Sequence, residues 1–241
     1  MTTSPAVYEG PFDREPWPER LPATVVDPRG EPRIHGYEVR RDLARHHGIA
    51  DLAWLAARGE LPTATEREAF EVAVIWLAPV HAGEAASHAG ILAKLVGALP
   101  SAVISTIATG LAELGRTERD ALAPWLSWLD APIGAPPPCA VEAAPDADAA
   151  DAHAWLVERT AVWFGPDAAL PESPVLGRVA GGHALLHRLG LRDPQLVEGV
   201  VTWARLLIVI AETASLRAGA VRDYPARLPD YQYVDDQGGS P

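Results

Sequence analysis

From Tyr37 onward apolar residues recur at helical intervals. In EVRRDLARHHGIADLAWLAARGELPT, Val39, Leu43, Leu52, Leu55 and Ala56 fall at helical spacing, Gly48 interrupts the pattern, and Gly59 and Pro62 stop it; two short helices are predicted. Thr65 and Glu68 have the spacing of a capping box and open EREAFEVAVIWLAPV, whose C-terminal half is apolar nearly all round. That composition predicts a buried helix ended or kinked by Pro79. ILAKLVGALPSAVISTIATGLAEL, residues 91–114, is apolar on most faces and rich in small residues, as close helix packing requires. Helical patterns return over 152–164, around Pro174 to Leu189, and from Asp193 to Ala218. No strand-like alternation of useful length occurs, so the predicted fold class is all-α.

The stretches between and around these helices are different. Residues 1–33 contain Pro5, Pro11, Pro16, Pro18, Pro22, Pro28 and Pro32, a spacing that forbids a long helix and predicts an extended N-terminal arm. APIGAPPPCAVEAAPDADAAD, residues 131–151, has too few large apolar groups to build a core and is predicted to be a linker or mobile loop. VRDYPARLPDYQYVDDQGGSP is a second proline-broken tail.

Composition narrows the classes. With 241 residues and 48% hydrophobic positions, the chain can bury one large core or two modest ones without disulfides or metals. A formal charge of -12 disfavours nucleic acid and anionic membrane surfaces as partners. The most apolar stretch, LLIVIAETA at 206–214, is too short to span a bilayer, and no basic-then-apolar leader opens the chain. Cys139, the sole cysteine, cannot form an internal disulfide; a cytoplasmic location is expected.

Candidate chemistry centres on PVHAGEAASHAG. His81, Glu84 and His88 would share one face of an uninterrupted helix and could then hold zinc or iron; a turn at AGEA would scatter them into ordinary polar roles. Arg205 interrupts the apolar run TWARLLIVIAETA and needs a partner once buried, with Glu212 or Asp223 as candidates. His183 and His187 lie one helical turn apart. Trp76, Trp125, Trp128, Trp155, Trp163 and Trp203 recur at helical spacing and are expected in core or interface packing.

Three segments, in order, resemble the citrate synthase and citryl-CoA lyase family. They are IHGYEVRRDLARHHGIADLAWLAARGELPTATE, then VHAGEAASHAGILAKLVGALPSAVISTIATGLAEL, then LLHRLGLRDPQLVEGVVTWARLLIVIAETA with its RDYPARLPDYQYVDD tail. The resemblance implies a multi-helical large domain over 34–115 and 179–241, a much reduced small domain over 116–178, and a dimer. His81 matches the family's histidine that holds an oxo-acid carboxylate, Arg205 an arginine of its late helix, and Arg222 a tail arginine. These imply a small-carboxylate site, since arginine forms paired charge-assisted hydrogen bonds with carboxylates.

The departures concern the reaction itself. The family deprotonates an acyl-CoA with an aspartate while a histidine stabilises the developing enolate. Where that histidine would stand the chain has Arg116, and counting back from Gly190 to the aspartate's place gives Val179, next to Arg178. Gly182-His183 looks like the family's carbonyl-binding histidine motif in one register; the other register makes it part of the C-terminal helices. The resulting expectation is a divergent citrate-synthase-like protein without the usual condensing activity. It would bind a small carboxylate as a homodimer, or act as the partner of a related chain, with no resident cofactor. One alternative is an active carbon-carbon bond-forming or -cleaving enzyme with a CoA ester as substrate and a rebuilt site drawn from Glu84, His88, Arg116, Arg178 and His183. The other is a metal-binding helical protein.

Overall fold

The computed structural model describes residues 23–216, which fall into two compact units divided between Leu61 and Pro62. Within the first unit, strands β1 (Val26–Asp27), β2 (Arg33–Ile34) and β3 (Tyr37–Glu38) form a small antiparallel sheet in sequence order. His35 and Gly36 connect β2 to β3 with φ of 46° and 88°, the backbone a two-residue hairpin demands and the reason a glycine stands there. This sheet occupies part of the segment expected to be wholly extended; its strands are too short to leave a period-2 signal.

A π turn over Val39–Leu43 then runs into the single helical turn α1 (Ala44–His46), and α2 (Ile49–Arg58) follows. Asp51 starts α2 by accepting the Gly48 N–H at 2.9 Å, and Gly59 ends it at φ 80° with its N–H on the Leu55 carbonyl. Leu43, Trp54 and Leu55 are buried.

The second unit is helical: α3 (Ala64–Leu77), α4 (Ala85–Leu95), α5 (Pro100–Ala121), α6 (Ala123–Asp130), α7 (Ala147–Phe164), α8 (Arg178–Arg188) and α9 (Pro194–Ser215). The capping box of α3 is Thr63 with Glu66, two residues ahead of the expected pair. Glu68 faces α7 instead, where it meets Arg159 and accepts the Trp163 indole N–H at 3.0 Å. The 91–114 stretch splits between α4 and α5 because Gly97 takes φ 77° and Pro100 opens a new helix.

Packing follows the small residues. A Cβ on Gly182 would stand 2.6 Å from Leu77 Cγ, so α8 lies against α3 at a distance only glycine permits. Gly110 lets α5 approach the backbone of α4 at Ala86 in the same way. Helices α3, α4, α5, α8 and α9 form the centre, with Phe70, Leu77, Ile107, Leu111, Leu185 and Val201 fully buried. Trp125 is buried and Trp163 nearly so, while Trp155 and Trp203 retain substantial exposure and belong to the surface.

The 131–151 stretch is held in place. A short 3-10 turn over Pro138–Ala140 buries Ala140, Val141 bridges to Leu176, and Glu142 N–H bonds the Val175 carbonyl at 2.9 Å. Asp146 then caps α7 by accepting the Ala149 N–H at 2.8 Å, so this helix begins at Ala147, earlier than its apolar periodicity suggests.

Candidate ligand site

Two helices of the second unit each carry one charge on an otherwise apolar stripe. On α5 the inward row runs Val103, Ile107, Leu111 and Gly115, with Glu118 following on the same face. On α9 it runs Val197, Val201, Arg205, Val209 and Thr213. The two helices pack together, and Arg205, 1% exposed, meets Glu118 Oε2 with Nη1 at 2.9 Å. Arg205 Nε also donates to the Leu77 carbonyl at 2.8 Å, at the end of α3 where helix carbonyls lack partners. His183 of α8, equally buried, places Nε2 3.9 Å from the same carboxylate oxygen. Burial disfavours the Glu118 charge, but His183 and Arg205 outweigh it and hold the carboxyl below its ordinary range.

Among the described residues the partner of Arg205 is thus Glu118 and not the expected Glu212. Glu212 is exposed on α9, and Asp223 lies outside the described residues.

Arg178 is the first residue of α8. The bridge from Val141 to Leu176 and the Gly177 N–H bond to the Ala140 carbonyl at 2.9 Å fix the chain that delivers it. Its guanidinium donates to the Trp76 carbonyl and, at 2.9 Å, to the Pro79 carbonyl. Burial and the neighbouring charge of Arg205 both lower its pKa, while Glu118 and Glu84 oppose them. Arg178, Arg205, Glu118, Glu84 and His183 therefore share one electrostatic neighbourhood.

Glu84 accepts the His81 backbone N–H at 3.0 Å and stands as the N-cap of α4. The Gly83 N–H donates to His81 Nδ1 at 2.9 Å, which leaves any ring proton of a neutral His81 on Nε2. His81 is in the turn before α4 and His88 is a turn inside it, so the helix that would align His81, Glu84 and His88 is broken. Among the described residues no three His, Cys, Asp or Glu side chains gather as metal ligands.

One candidate lies elsewhere. Arg116 faces solvent on α5 and pairs along its own helix with Glu113 and, at 2.9 Å, with Asp120. Arg222 is outside the described residues. The residue that sequence reasoning missed is Glu118; its signal was an acid continuing an apolar helical stripe, a position that demands a partner.

Two clefts border this network. One of about 420 Å³ is lined by His183, Arg119, Asp130, His187 and Arg192. Within it His187 Nε2 lies 2.9 Å from Asp130 Oδ1, and Arg192 binds the same carboxylate at 2.8 and 3.2 Å. The hydrogen bond from His187 foremost, with help from Arg192, keeps the Asp130 carboxyl below its ordinary range against the opposing effect of desolvation. The other, about 390 Å³, is lined by Arg178, Glu142 and Asp148 together with Ile75, Trp76, Ala149, Ala152 and Leu176.

No protein-family model matches the sequence, and no curated protein matches it either. By structure the chain is similar to a citryl-CoA lyase from Hydrogenobacter thermophilus, with a TM-score of 0.55 and 16% identity over 92% of this chain and 95% of that one. The chain has an all-α fold of the citrate synthase and citryl-CoA lyase kind. No helix among the described residues is long and apolar enough to cross a membrane.

Proposed function

We propose that this chain binds a small carboxylate beside Arg178 and lacks the condensing reaction associated with its fold. The observation that carries the reading is how Arg178 is used. Of the five N–H donors of a guanidinium, its hydrogen bonds to Trp76 and Pro79 engage one on each terminal nitrogen, both toward neutral carbonyls. The remaining donors belong to a side chain that keeps contact with solvent, and the neighbouring positive charge of Arg205 disfavours the cation, a repulsion that an incoming carboxylate offsets. His81, two residues after the Pro79 whose carbonyl Arg178 holds, would assist. Arg205, expected to touch the ligand, is neutralised by Glu118 and backs the site from inside. The absence of an acid at Val179 and the solvent-facing ion pairs of Arg116 support a lost proton transfer.

Isothermal titration with citrate and with succinate tests the binding. Saturable heat that disappears in Arg178→Gln, with the fold retained by circular dichroism, is expected; no heat with either acid overturns it. Free-thiol release from acetyl-CoA and oxaloacetate should stay at the no-protein rate, and turnover at an ordinary enzymatic rate overturns the second half.

One observation favours a second reading, an active carbon-carbon bond enzyme with a rebuilt site. His183 and Glu118 form a buried imidazole-carboxylate contact, and His183 also lines the 420 Å³ cleft. Cleavage of citryl-CoA that falls at least tenfold in Glu118→Gln and His183→Asn would establish it. Pairing with a second copy or a related chain is supported by Trp203, Leu207 and Ile208 exposed along α9; light scattering of the purified protein decides it.

A further inference from the structure

We propose that the carboxylate held by Arg178 carries an apolar arm, which lies in the cleft lined by Arg178 and by residues of α3 and α7. This extension rests on the carboxylate reading and names the class of ligand.

The cleft's apolar lining is Ile75, Trp76, Ala149, Ala152 and Leu176, and Arg178 lines it as well. Its volume of about 390 Å³ falls in the range typical of ligand pockets, roughly 300–1,000 Å³. Ile75 is 66% exposed there, an apolar side chain that a ligand would take out of water. The charges along the cleft are arranged for one anionic end only. Glu142 and Asp148, both exposed, line it together with the single cation Arg178, so a carboxylate at Arg178 is attracted while a phosphate-bearing arm is repelled.

Two other clefts among the described residues do not share this arrangement. In the 420 Å³ cleft Arg192 and His187 already hold Asp130, and Arg119 holds Asp120 and Glu198. A third, of about 620 Å³ along α7, is lined by Glu158 and Glu172 and contains no cation.

The test is titration calorimetry with succinate, butyrate, hexanoate and octanoate on the wild-type chain, Ala152→Phe and Arg178→Lys. Burial of each added methylene strengthens binding by about fourfold at best, so octanoate should bind at least tenfold more tightly than butyrate. Ala152 is exposed on α7, and a phenyl group there fills the cleft without touching the polar network. Ala152→Phe should therefore remove the chain-length dependence and leave succinate unchanged. Arg178→Lys keeps the charge but loses the planar donor fork, and should weaken every acid in the series.

Succinate binding with equal affinities from butyrate to octanoate overturns the apolar arm while sparing the carboxylate reading. A chain-length gain that survives in Ala152→Phe overturns the assignment to this cleft. Failure of all four acids overturns both readings together.

Discussion

Arg116 and Arg205 are the same side chain in two kinds of contact. Arg116 reaches Asp120 at 2.9 Å within its own helix, and both residues remain in water. Arg205 reaches Glu118 at the same distance between helices, with the arginine fully buried and the acid largely so. Exposed pairs gain little because solvent already satisfies each charge. A buried pair is different: removing either member strands the other where water cannot reach it. Distance therefore says little about what these contacts hold together; burial decides it.

The largest expected effect tests this directly. Glu118→Ala should destabilise the protein by about 3–5 kcal/mol, the usual cost of stranding a buried charge, whereas Arg116→Ala should leave the urea midpoint unchanged. Replacing both buried partners, as Glu118→Leu with Arg205→Met, should recover most of the loss. If Glu118→Ala proves as silent as Arg116→Ala, the interior pair carries no structural weight.

The contact between α3 and α8 extends the contrast to apolar packing. Gly182→Ala places a methyl group 2.6 Å from Leu77 Cγ and should cost about 1–3 kcal/mol, as overpacked cores do. A loss of carboxylate heat in the same variant would show that Arg178 depends on this approach.

Acid dependence separates buried from exposed titrating groups. His153 is buried on α7, and burial lowers its pKa from the ordinary 6.5. The unfolded chain then binds protons more readily than the folded one, so stability falls as pH drops from about 6.5 through the folded-state value. His153→Leu should flatten that part of the stability profile measured by urea melts. Glu118 behaves alike at lower pH: its depressed pKa stabilises the fold above the ordinary carboxylate value, and this is lost as pH falls through the folded value. Glu118→Gln should remove that limb.

The smallest effect belongs to a contact confined to one helix end. Thr63→Ala removes the side-chain cap of α3 and should cost about 0.5–2 kcal/mol, read as a shift in urea midpoint without a change in slope.

Much of the helical content was legible because an amphipathic helix writes its period into the chain. The apolar rows of α5 and α9 are visible as i, i+4 repeats, and the stop at Gly59 follows from glycine's tolerance of positive φ, whereas the break at Gly97 inside the apolar 91–114 stretch was not read from the pattern. The capping box of α3 was misplaced because Thr63-Glu66 and Thr65-Glu68 have identical local chemistry; only the reach of Glu68 toward Arg159 and Trp163 distinguishes them. The 131–151 stretch looked unanchored because its anchors, Val175, Leu176 and Gly177, are supplied by a distant part of the chain.

Sequence by itself determined the all-α class, most helix positions and the presence of an arginine inside the α9 stripe that required a partner. It also held the signal for that partner, an acid on the inward stripe of α5. Only the tertiary structure decided that these two residues meet, that His183 joins them, and that Arg178 lines a cleft with Ile75, Trp76 and Leu176 while Arg116 turns to solvent. Local spacing fixes which face of a helix a side chain occupies, but the partner across the core depends on which helices pack together, and that is set by the whole chain at once.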